Sequence, residues 1–128
     1  MAARPRLLVI DDDADALGIY HQVLARAAYE VVTAATGEEG LTHLRSRTEI
    51  FDLVVTDMRL PGLSGFEVLA AVHESAAGVP AVMTSAYGTG ESEVAAKQLV
   101  AAEFIHGPFL ADDLLDAVDR NLRRSPPH

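Results

Sequence analysis

The feature that most constrains this chain is a fivefold alternation, in which short apolar runs rich in β-branched residues are each followed by a longer stretch of helically spaced apolar positions. Alternation of that kind marks βαβ units, whose helices cross over a parallel sheet and cover its faces. Residues 7–10 form an unbroken apolar run, as a strand covered on both faces requires. A helix follows over 14–27, with Leu17, Tyr20, Val23 and Leu24 as its sheet-facing stripe and Asp13 as its N-cap. Strand two is read at 29–33. Thr36 with Glu39 three positions later is a capping box for a helix that opens near Gly37 and ends near Arg45. Strand three, 51–56, leads into Asp57 and the loop signal Pro61-Gly62, then a helix carrying Phe66, Val68, Leu69 and Val72. Strand four spans 79–84, and a helix over 92–100 carries the only lysine, Lys97. Strand five, 103–106, closes on Gly107-Pro108 before a last helix over 111–123. The reading is therefore α/β, a doubly wound five-stranded parallel sheet, with one domain over 1–124 and 125–128 as a tail or the start of a linker.

Of the 128 residues, 49% are hydrophobic and 23% charged, enough for a core without metal or disulfide staples. Cysteine is absent, which excludes disulfide frameworks, thiolate zinc sites and cysteine nucleophiles and fits a cytoplasmic location. Nineteen acids against ten bases give a net charge of -9, so the chain repels phosphate backbones and anionic lipid, and direct nucleic-acid or membrane binding is not expected. No apolar run approaches the roughly 18 residues of a membrane span, and the first residues lack the pattern of a signal peptide.

In an open parallel sheet, ligands sit beyond the carboxyl ends of the strands, where the winding reverses. The residues at those ends are acids: Asp11 and Asp12 after strand one, Asp57 after strand three. If those strands are neighbours, three carboxylates share one rim, an arrangement that protons or a hard cation must neutralise. Magnesium, bound through one or two carboxylates with waters and phosphate oxygens, suits it. Asp13 is assigned to capping, whereas Asp57 stands too far ahead of its helix for that role.

Four segments in order, Leu7-Leu8-Val9-Ile10-Asp11-Asp12-Asp13, Asp57 through Gly65, Thr84-Ser85-Ala86-Tyr87-Gly88 and Gly107-Pro108-Phe109, make the chain resemble the receiver domains of two-component response regulators. The resemblance implies the flavodoxin-like (βα)5 receiver fold with strand order 2-1-3-4-5, an order already familiar for this fold type. It implies that Asp57 accepts a phosphoryl group from a histidine kinase or phosphotransfer protein. Magnesium would be held by Asp11, Asp12, Asp57 and the backbone carbonyl of Arg59. Ser85, 28 residues after Asp57, takes the place of the hydroxyl that bonds the phosphoryl group, and Phe104 that of a rotating aromatic; both carry a purely structural reading beside this one. A remodelled surface of helix four, strand five and helix five would then engage an output domain or partner protein, and could also pair two copies of the chain. Beyond catalysing its own phosphoryl transfer and dephosphorylation, such a domain is not an enzyme.

The chain departs from the pattern at one place. Receivers ordinarily carry a lysine before the proline after strand five; here the residue is Gly107, and the Gly107-Pro108 bond is expected to be cis as in the family. Losing such a donor typically costs about 10²- to 10³-fold in rate. Restoring the charge by Gly107→Lys is thus expected to speed phosphorylation. Strand alternation turns His106 away from the site, so it is no substitute. Two readings follow: a working receiver, or a pseudo-receiver acting by phosphorylation-independent contact. A magnesium phosphohydrolase with Asp11 as nucleophile and Asp13 as acid is a third, and an EF-hand fails because Ala16 and Gln22 occupy its glycine and glutamate positions.

Overall fold

Successive side chains of a strand point to opposite faces, and along the first strand both faces find apolar partners. The computed structural model describes residues 4–46, 48–75, 78–86, 90–99 and 101–124. The tail at 125–128 and the Tyr87-Gly88 part of one motif lie outside them. The elements run β1 (Arg6–Ile10), α1 (Ala14–Arg26), β2 (Glu30–Ala34), α2 (Gly37–Arg45), β3 (Leu53–Asp57), α3 (Gly65–Ser75), β4 (Ala81–Ser85), α4 (Gly90–Gln98), β5 (Glu103–His106) and α5 (Ala111–Arg124). All pairings are parallel and the order is β2-β1-β3-β4-β5, so the chain has the doubly wound flavodoxin-like receiver fold. Leu8 and Ile10 of β1 join Leu41, Leu44, Val68, Leu69 and Ala96 from α2, α3 and α4 on one face. Leu7 and Val9 join Leu24 of α1 and Leu114 and Val118 of α5 on the other.

Three strands begin one or two residues later than their apolar runs. Tyr29 is occupied before β2, its N–H donating to the Leu24 carbonyl at 3.2 Å and finishing α1. Phe51 is buried, but it lies under the Arg6 guanidinium, 5.1 Å from the ring centre, and Asp52 accepts the Arg6 N–H at 2.7 Å. Pro80 has no N–H to give a ladder, so β4 starts at Ala81. Each of these strands extends one residue further than read from sequence, which makes Asp57 and Ser85 the last residues of β3 and β4. α4 likewise spans Gly90–Gln98, starting and stopping two residues ahead of the range expected from its sequence.

The capping assignments hold. Asp13 accepts the N–H groups of Asp15 at 3.0 Å and Ala16 at 3.3 Å. Thr36 Oγ1 accepts the Glu39 N–H at 3.0 Å, and the Glu39 carboxylate reaches back to the Ala35 N–H at 2.7 Å. Thr36→Ala is expected to cost about 1 kcal/mol in urea unfolding, with an unchanged slope against denaturant.

Candidate functional site

The winding reverses between β1 and β3, since α1 covers one face of the sheet and α2 the other. A crevice opens there beyond the strand ends. Asp11 follows β1 directly and is fixed by its N–H to the Ala34 carbonyl at 3.1 Å; Asp57 stands opposite Thr84 in the ladder. One oxygen each of Asp11, Asp12 and Asp57 lies within 4.8 Å of the others. Asp11 is buried, Asp57 half-buried and Asp12 exposed.

Crowding and burial disturb both inner acids. The Asp57 carboxyl is pushed up to about 6, first by burial and then by the charges of Asp11 and Asp12, against the pull of the Met58 and Arg59 backbone N–H groups. Asp11 is raised chiefly by burial, opposed by the Asp13 N–H that its Oδ1 accepts at 2.9 Å. Such a cluster is unfavourable as a trianion, and its all-oxygen donor set fits a small hard dication.

Two lobes of about 240 Å³ each adjoin the acids. Asp12, Asp57, Arg59, Ser85 and Ala86 border one. Asp11, Tyr20, Asp57, Thr84 and Phe109 border the other, with Asp12, Asp13, Ala16 and Ala86. Arg59 is exposed and Ser85 buried beside the acids. Phe104 is not in the cleft. Its ring is buried in the core on the α2, α3 and α4 face, 4.8 Å from the His106 ring. His106 turns toward α4, its Nε2 2.6 Å from Glu93 Oε1. The Gly107-Pro108 peptide is cis, and the Gly107 N–H donates to the Ser85 carbonyl.

Two residues at the site, Tyr20 and Gly65, carry more than the sequence suggested. Tyr20, read as core stripe, borders the acidic cleft and stacks on Phe109 with ring centres 6.1 Å apart. The only signal for it is a tyrosine in place of an aliphatic residue, on the helix that starts at the acidic rim. A Cβ at Gly65 would fall on the Asp57 carbonyl oxygen and 2.9 Å from Met58 Cα, so α3 approaches the acid's own backbone through a glycine.

A family model for the response regulator receiver domain matches residues 7–119. The chain belongs to this family. Among similar proteins, the transcriptional regulatory protein GlrR of Escherichia coli is 34% identical over 128 residues, 99% of this chain and 28% of that protein. PrrA of Mycobacterium tuberculosis, also a transcriptional regulatory protein, is 36% identical over 94% of this chain and 51% of its own length. The chain thus spans between about a quarter and half of these relatives. Among solved structures, the CheY-like response regulator receiver domain protein of Methanospirillum hungatei superposes with a TM-score of 0.90, at 32% identity over 95% of this chain and 96% of that one. The non-phosphorylated HemR receiver domain of Leptospira biflexa gives 0.87, at 30% identity over 98% and 99%. As a receiver domain the chain has, among its described residues, no helix long and apolar enough to cross a membrane.

Proposed function

We propose that this receiver domain accepts a phosphoryl group on Asp57 from a histidine kinase or phosphotransfer protein and signals to an output domain or partner protein. The observation that carries this reading is the convergence of the three carboxylates beside Ser85 in one open cleft. In the transfer, an Asp57 oxygen attacks phosphorus, the bond from phosphorus to the donor nitrogen breaks, and the donor leaves with the electron pair and takes up a proton. Asp11, Asp12 and Asp57, with the Arg59 carbonyl, would hold magnesium. Bound there, it would offset the carboxylate repulsion and draw charge from the phosphoryl oxygens. Asp57 is the last residue of β3, so its pairing with Thr84 of β4 positions its carboxylate. Ser85 supplies a hydroxyl to a phosphoryl oxygen, Phe104 turns in the buried space it already occupies, and the domain turns over no external substrate.

Gly107 is the one observation that favours the pseudo-receiver. The hydrolase reading loses its acid, because the Asp13 carboxylate is engaged in capping α1. Acetyl phosphate or beryllium fluoride with magnesium is expected to form one adduct, visible by intact mass and absent in Asp57→Asn. A chain that stays unmodified at saturation is a pseudo-receiver, and turnover of simple phosphomonoesters would make it a hydrolase.

A further inference from the structure

The place a lysine would fill leaves a phosphoryl group on Asp57 with few donors. Among the residues bordering the two lobes, Arg59 is the only cation, and it is solvent-exposed. Lys97 is committed elsewhere, 3.1 Å from Glu93 on the outside of α4. The lobe on the α1 side is bordered instead by Tyr20, half-buried and stacked nearly parallel on Phe109, with 14° between the ring planes. Phe109 lies two residues after Gly107, and both rings border the lobe that holds Asp11 and Asp57.

Packing explains the ring but not its hydroxyl, since phenylalanine would stack equally well. The two half-buried tyrosines among the described residues differ in this respect. The Tyr29 hydroxyl is held by Asp119, whereas among the described residues the Tyr20 hydroxyl makes no hydrogen bond while sitting in the field of Asp11, Asp57 and Asp13. Burial and that field push it up to about 12, so it stays protonated and remains a donor across the physiological range.

The geometry points to Tyr20 as the hydrogen-bond donor that takes over from the missing lysine, giving its O–H to the phosphoryl group as it settles on Asp57. The assignment rests on the phosphoacceptor reading of Asp57. A neutral donor adds no charge to a crowded site yet still meets the oxygen on which charge accumulates. Phe109 holds the ring and acts as a positioning residue.

The test is Tyr20→Phe, which keeps the stack and removes one oxygen. Acetyl phosphate kinetics in magnesium are expected to slow by about 10- to 100-fold, while melting temperature and magnesium affinity by calorimetry stay at the wild-type values. One fluorine resonance of the beryllofluoride adduct is expected to shift. Equal rates and equal spectra in both proteins would overturn the role of Tyr20 and leave Asp57 as acceptor. A slower rate with a matching loss of magnesium affinity would assign the hydroxyl to site shape and also overturn it. Failure of the wild type itself to form any adduct would remove the acceptor reading, and this assignment with it.

Discussion

Asp57→Asn is expected to stabilise the metal-free protein at neutral pH by about 1–3 kcal/mol, even as it abolishes phosphoryl uptake. The Asp57 carboxyl is raised from its ordinary 3.8 to about 6 by burial and by Asp11 and Asp12. Below 3.8 folded and unfolded chains both hold the proton, and the acid costs nothing. Between that value and about 6 only the folded chain holds it, so stability falls as pH rises through the window. Above it the full penalty stands, moderated by partial solvent access. Asparagine removes that penalty, so urea unfolding should show the gain at pH 7 and little of it near pH 4. Saturating magnesium should narrow the gap, because a cation at a hundred times its dissociation constant adds about 2.7 kcal/mol to the wild type. An identical gain at both pH values would mean that carboxylate repulsion is not the cause.

Gly107 carries the second large effect, and two opposing terms meet there. A Cβ at this position would stand 2.7 Å from Ala86 Cα and 2.8 Å from the Ser85 carbonyl oxygen, both backbone atoms. The ends of β4 and β5 must separate to admit any side chain. Gly107→Ala and Gly107→Lys are therefore both expected to lose about 1–3 kcal/mol of stability. The gain from a restored charge is visible only as the difference between these two variants. At matched steric cost, lysine is expected to exceed alanine in phosphorylation rate by about 10²-fold. Equal rates would show that the glycine matters as a point of backbone contact and not as an absent ammonium group.

That glycine also shows where the sequence could be read and where it could not. The alternation of elements and both helix caps follow from local chemistry, and the resemblance carried the strand order. The acids were legible because they terminate strands. Strand starts were displaced wherever a residue of the apolar run was engaged elsewhere or lacked a donor, as with Phe51 beneath Arg6, Pro80 without an N–H and Tyr29 closing α1. Gly65 and Gly107 were invisible as contacts because their role is set by backbone that is distant in sequence, and Tyr20 was hidden because a stripe residue and a cleft residue have the same spacing.

The two helices flanking β5 are anchored very differently. α5 is tied through Arg120 and Asn121 to Glu103 and through Asp119 to Tyr29, and it buries Leu114, Ala117 and Val118 completely. α4 buries only Ala96 among its described side chains, and its Glu93 bonds Lys97 and His106 at the surface. Local opening free energy scales with such buried contact, so α4 is expected to open more readily than α5. A strain reaching β5 would therefore be taken up by α4, a preference built into this unequal anchoring.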